Sequence, residues 1–253
     1  MKKALIYLLV FVGIQLLAGA LVQAAYLLWK GQGAMVDATG LIITSALSDV
    51  ATLVVFFLAG WAVVSRHWVR TRPWAVLCWC VLAAFGAIIP SSWLQELLPP
   101  LPNVAEDAFE MIMGSRMGYF VIGLLAPLVE ELVFRGSILR ELLRWKKNPW
   151  VGIVISAVMF SAIHMNPAQM PHAFLIGLLL GWMYYRTDSI VPGVVFHWVN
   201  NTIAYVLYQF YPNQEMELID LFQGNERSVL MAVGFSLCIL IPSIIQLNAR
   251  MRK

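Results

Sequence analysis

Eight apolar runs, each near the length of a membrane crossing, leave this chain few ways to fold. They lie at about 4–29, 41–65, 74–94, 117–139, 150–165, 172–186, 190–211 and 228–248. A spanning helix needs about 20 mainly apolar residues, and in lipid a helix satisfies its own backbone groups. With 60% hydrophobic and 12% charged residues, the composition excludes an ordinary soluble domain. The expected fold is all-α, a polytopic membrane helix bundle of about eight transmembrane helices. It forms a single integral membrane domain over 1–253, since no Gly/Ser-rich linker or internal repeat divides it.

The ends of the runs carry further information. Lys2-Lys3 and the first run imitate a signal peptide, but the run exceeds an h-region of about 7–15 residues and reads as a true span. The fifth and sixth runs are short, so His164-Met165-Asn166-Pro167-Ala168-Gln169-Met170-Pro171-His172 reads as a turn at or within the membrane, covered by protein. Pro99-Pro100-Leu101-Pro102 marks a break followed by an interfacial helix before 115. Cys78, Cys80 and Cys238 sit in apolar runs and read as core packing, not as a disulfide framework or thiolate metal site. Trp29, Trp68, Trp74, Trp93 and Trp150 fit aromatic belts at the interfaces.

Orientation follows from the basic residues. With the amino terminus in the cytoplasm, Lys2, Lys3, Arg66, Arg70, Arg72, Arg135, Arg140, Arg144, Lys146, Lys147, Arg186, Arg250, Arg252 and Lys253 fall inside. Only Lys30, Arg116 and Arg227 fall outside, a split of 14 to 3. The positive-inside rule therefore puts both termini in the cytoplasm. No block of like charge suggests nucleic acid. The partners expected are the bilayer and a membrane-associated peptide or protein.

Ionisable groups at membrane depth read as functional by default. The run from Met117 meets Glu130-Glu131-Leu132-Val133-Phe134-Arg135 before closing on Arg140, Arg144, Lys146 and Lys147. Glu131 and Arg135, four apart in the acid-first order, share a helix face and can pair. Glu130 lies about 100° round the helix and gains no such partner. His164 ends Phe160-Ser161-Ala162-Ile163-His164, while His197 and Asn201 share a face of the seventh run. At the helical rise, Glu130 lies about 15 Å in from Arg140, and His164 about 21 Å from Trp150. Counted from Asp188, His197 lies about 14 Å and Asn201 about 20 Å deep. Four polar groups from three helices thus approach the middle of a core about 30 Å thick.

The blander readings cover the rest. Asn200 reads as a helix–helix contact. His172 and His67 read as ordinary surface histidines. Asp49 lacks a visible partner, which Ser45 or Ser48 could supply.

Glu130-Glu131-x-x-x-Arg135, Phe160-x-x-x-His164 and His197-x-x-x-Asn201, in that order on successive membrane segments, resemble the CPBP family. These are the CAAX prenyl endopeptidases of the Ras-converting type and their bacterial relatives, also called Abi proteins. The resemblance covers roughly residues 116–205 and implies an intramembrane endopeptidase of the glutamate type in the cell membrane of a bacterium. Glu130 with His164 would polarise a water, His197 and Asn201 would form the oxyanion hole, and Glu131 and Arg135 would support the motif helix.

The chemistry agrees with that division. A desolvated carboxylate is a strong proton acceptor and suits a general base. A neutral imidazole and a carboxamide on one face offer N–H donors to a developing oxyanion. Glu130, His164 and His197 also match the ligand types of a catalytic zinc. They lie on three helices rather than in a His-Glu-x-x-His helix, so the metal-free reading is preferred. A proton-coupled transporter also places Glu and His at the midplane, but no repeated halves with broken helices occur. A catalytically silent immunity or scaffold protein on the same fold need not keep every motif residue, and this chain keeps them all.

Overall fold

The computed structural model describes residues 1–64, 73–145, 147–212 and 217–251. Arg66, His67, Trp68, Arg70, Arg72, Lys146, Arg252 and Lys253 lie outside the described residues. Among those described there is no strand, and every apolar run forms a helix. We label the helices α1 (Lys2–Lys30), α2 (Ala38–Leu58), α3 (Trp74–Glu96), α4 (Glu106–Met113), α5 (Arg116–Trp145) and α6 (Pro149–Ala162). They continue with α7 (Met170–Thr187), α8 (Val191–Phe210), α9 (Leu218–Leu221) and α10 (Glu226–Arg250).

Five of them, α1, α2, α3, α5 and α10, are long and apolar enough to cross a membrane. α6 is apolar but only 14 residues long. α7 and α8 are long enough, yet their polar residues make them less apolar, as a helix lining an internal site must be. α2 stops at Leu58, short of the expected 65, because Trp61 N and Ala62 N both fold back onto Phe56 O. Leucines and aromatics such as Leu9, Leu16, Leu17 and Phe235 are more than half exposed. So much outward apolar surface is stable only against lipid.

Two buried clusters organise the bundle. The first joins Tyr7 and Phe11 of α1 and Phe56 of α2 to Val129, Leu132, Phe134 and Ile138 of α5, and on to Phe160 of α6. The second packs Cys80, Ala83, Ala84 and Ala87 of α3 against Leu180 and Met183 of α7, Phe196 of α8 and Leu247 of α10. Small residues let membrane helices approach closely. At Gly86 a Cβ would stand 2.6 Å from the backbone N of Leu240, so α3 and α10 touch main chain to main chain. The cysteines divide: Cys80 is buried in this cluster, whereas Cys78 and Cys238 are exposed. Core packing holds for Cys80 alone, because two residues along a helix turn the side chain to the far side.

α5 is not a uniform α-helix. Its middle, Ala126–Val133, is flanked by two π-helical stretches, Tyr119–Leu125 and Phe134–Leu139. Pro127 has no N–H to donate to the preceding turn, and there Ala126 N reaches five residues back to Val121 O. In the second stretch Ser137 Oγ donates to Leu132 O, also five back, and to Trp61 O. Such widened turns rotate the segment between them and cluster at functional sites.

The expected membrane turn runs from 163 to 169, between α6 and α7. Asn166, fully buried, holds it: its Nδ2 donates to Asn103 Oδ1 and its Oδ1 accepts from Val104 N. Gln95 Nε2 donates to Ala168 O from the end of α3. Irregular backbone is thereby covered by protein, as lipid demands.

Candidate active site

Glu130, His164, His197 and Asn201 all line one cavity of about 600 Å³. Phe160, His172 and Asn200 share its wall, and Gln95, Asn103, Phe109 and Met113 stand at its rim. A second cavity of about 690 Å³, between α3, α7 and α10, has an almost wholly apolar lining and no titratable side chain. The first is where chemistry can occur.

The two adjacent glutamates have opposite surroundings. Glu131 is fully buried and its Oε1 accepts from Arg135 Nη1 at 2.7 Å. Arg135, 1% exposed, also donates to Gly177 O and lies 4.5 Å over the Phe160 ring. Glu131 can come this close to α8 because residue 193 is glycine, where a Cβ would meet Glu131 Oε2 at 2.6 Å. Glu130 instead faces the cavity, with Oε2 at 3.7 Å from His197 Nε2. That separation exceeds a direct hydrogen bond.

Both histidines are oriented through Nδ1. His197 Nδ1 stands 3.2 Å from Glu131 Oε1, and His164 Nδ1 stands 2.9 Å from Phe160 O. A carbonyl or an arginine-paired carboxylate accepts, so each Nδ1 carries its hydrogen and each Nε2 is left for the cavity. A neutral imidazole held this way presents an acceptor at Nε2; only the imidazolium donates there. The donor role expected of a neutral His197 therefore needs a second proton on the ring. Phe160 is the common wall, edge-on to His164 and His197 at 5.2 and 5.7 Å between centroids.

Asn201 donates through Nδ2 to Ile122 O at 3.0 Å, a carbonyl in the first π-helical stretch. The rest of α8 is tied to the start of α5 by similar bonds. Tyr119 OH meets Thr202 Oγ1 and accepts from Trp198 Nε1, and Tyr205 OH donates to Ser115 O.

Two readings from sequence change. His172 is not at the surface: it lines the cavity beside Asn200, within electrostatic reach of His164 and His197. The signal was present, since a turn that leaves and re-enters membrane depth brings both of its ends to one level. Asn200 is a helix–helix contact as expected, hydrogen-bonded to His172 of α7, and it also reaches its neighbour, Nδ2 to Asn201 Oδ1 at 3.3 Å, while lining the cavity. Ser48 donates to Ser45 O, so it is not given over to Asp49, which is buried on α2 within reach of the Glu130 charge.

Among the described residues no three His, Cys, Asp or Glu side chains converge as a metal-ligand set.

Residues 113–203 match the family model described as type II CAAX prenyl endopeptidase, Rce1-like. The match contains all seven residues named in the three motifs and nearly coincides with the 116–205 core. The UPF0177 protein YxdF of Lactococcus lactis subsp. lactis (strain IL1403) is 27% identical over 79 residues. That stretch is 31% of this chain and 42% of the relative, so the chain spans less than half the length of the relative it matches. No solved structure matches.

Proposed function

We propose that this chain is an intramembrane endopeptidase of the bacterial cell membrane that hydrolyses a peptide bond of a membrane-associated protein or peptide. The observation that carries it is the contrast within Glu130-Glu131: one carboxylate is locked to Arg135, the other opens onto a cavity it shares with His164, His197 and Asn201. Similarity to a protease family and to a bacterial protein supports the reading.

In this mechanism a water lies between Glu130 and His164. Glu130 takes one of its protons while His164 Nε2 accepts the other hydrogen and orients the molecule. The water oxygen adds to the scissile carbonyl carbon. The resulting oxyanion receives the Nε2 hydrogen of a His197 imidazolium and the second Nδ2 hydrogen of Asn201, the first being held by Ile122 O. Collapse breaks the C–N bond, and Glu130 returns its proton to the leaving amine. Water hydrolysis balances without any further reactant, and no step passes through a metal.

Cleaved membrane peptides compared between wild type and Glu130→Gln would test this. The variant should still insert, and its cleavage rate should fall by about 10²–10⁴-fold. Near-normal cleavage by Glu130→Gln would overturn the general-base assignment. Dialysis against EDTA should leave wild-type activity intact. Loss of activity, restored by zinc, would instead make His197 a ligand.

A further inference from the structure

His172 takes no part in the proposed chemistry, yet it stands in the wall of the same cavity. It is hydrogen-bonded to the side chain of Asn200. Asn200 Nδ2 in turn donates to Asn201 Oδ1 at 3.3 Å, and Asn201 Nδ2 donates to Ile122 O at 3.0 Å. The three bonds share one direction. Ile122 O can only accept, so it takes the nitrogen of Asn201. Asn201 Oδ1 then takes the nitrogen of Asn200, and Asn200 Oδ1 is left to accept an N–H of the imidazole. A line of donors thus runs from α7 through α8 to a carbonyl in the first π-helical stretch of α5. Its starting point is fixed to the bundle: Ser161 Oγ of α6 donates to Met170 O, and Ala173 N donates to Gln169 O, on either side of His172.

A carboxamide keeps nearly the same shape when its oxygen and nitrogen are exchanged, so packing alone does not decide which end it presents. An oxyanion is stabilised by the N–H end and repelled by the oxygen. Turning Asn201 alone would set its oxygen against Ile122 O and its nitrogen against Asn200 Nδ2. Turning both amides together would also set Asn200 Nδ2 against the imidazole N–H. The orientation of the pair is therefore held at both ends, by Ile122 O and by His172. We propose that His172 is a positioning residue that, through Asn200, keeps the second Nδ2 hydrogen of Asn201 aimed at the oxyanion. This role rests on the endopeptidase reading and adds to it a residue outside the three motifs. A tie between helices serves stability whatever its direction. A tie of fixed direction serves the transition state, because the hydrogen it orients is used only when negative charge develops.

The test measures kcat and KM for a cleaved membrane peptide with the full-length protein in lipid vesicles, using two replacements of similar shape. His172→Met has no N–H and should lower kcat about tenfold with KM unchanged, since the oriented hydrogen acts only in the transition state. His172→Gln can donate to Asn200 Oδ1 and should keep most of the wild-type kcat. His172→Phe keeps a ring without an N–H, should behave as His172→Met does, and replaces it if that variant fails to accumulate. A double-mutant cycle supplies the second readout. In an Asn201→Ala background, His172→Met should change kcat by less than about twofold, because the group it positions is gone. Additive losses in the cycle, an effect confined to KM, or equal kcat for His172→Met and His172→Gln would overturn the positioning role while the dependence on Glu130 stands. Absence of cleavage by wild type, or cleavage indifferent to Glu130→Gln, would overturn the endopeptidase reading and the positioning role with it.

Discussion

Removing Arg135 offers a way to separate what the Glu131–Arg135 pair does for stability from what it does for the site. Both side chains are at most 1% exposed, and the Nη1–Oε1 distance is 2.7 Å. Arg135→Met leaves the Glu131 carboxylate buried without its cation, which costs about 3–5 kcal/mol. Loss of the contact over Phe160 adds about 0.5–2 kcal/mol. Against a stability of roughly 5–15 kcal/mol, that is a large share. At about 2–4 °C per kcal/mol for a chain of this size, the melting temperature in detergent should fall by roughly 7–28 °C. The double variant Glu131→Leu/Arg135→Met buries no charge and should recover most of that loss, because apolar replacements of buried pairs are neutral or stabilising. Its activity should not recover, since His197 Nδ1 then lacks the acceptor that turns the ring; a loss of about 10²–10⁴-fold is expected. Scanning fluorimetry and the peptide-cleavage assay read the two quantities on the same samples. A double variant as unstable as Arg135→Met, or one cleaving at the wild-type rate, would refute this division.

Gly193→Ala should push a methyl into the Glu131 carboxylate and destabilise by about 1–3 kcal/mol, read as a lower melting temperature. Asp37, between α1 and α2, accepts from the Tyr26 hydroxyl, from Lys30 and from Gly40 N, and these bonds hold its carboxyl well below the usual range. A depressed folded value means the stabilisation is present above the unfolded value of about 3.9 and is lost as pH falls below it. The stability gap between wild type and Asp37→Asn should therefore close below about pH 4. Reporter fusions after Lys147 should read cytoplasmic and fusions near Asn103 external, following the 14-to-3 charge split; an external signal after Lys147 would reverse the orientation.

The helices were legible because lipid enforces a simple rule of length and apolarity, and all eight runs are helical. The turn at 163–169 was legible from the shortness of the runs beside it. What the pattern did not carry was the inside of α5. Nothing in Tyr119–Leu125 or Phe134–Leu139 marks a widened turn except Pro127 and Gly136, which have many other uses. His172 was misread for a related reason: depth alone does not say which way a side chain turns, and it lies off the Phe160–His164 and His197–Asn201 spacings. Gly193 gave no signal at all, since its role is the room it leaves for a carboxylate on another helix.

The two π-helical stretches explain how neighbouring glutamates come to have unlike surroundings. Adjacent residues on a helix differ by about 100°, so Glu130 and Glu131 must point apart whatever the packing. Which of them faces the cavity depends on how the Ala126–Val133 segment is rotated, and that is set at its two ends. At one end Ala126 N bonds to Val121 O, and Ile122 O is held by Asn201 of α8. At the other, Ser137 ties the second stretch to Leu132 O and to Trp61 O. The segment is thus clamped from both sides in one rotational setting. The same bond that clamps it, Asn201 to Ile122, also orients the asparagine assigned to the oxyanion. Glu130 and Asn201 are therefore registered to one another through a single backbone carbonyl.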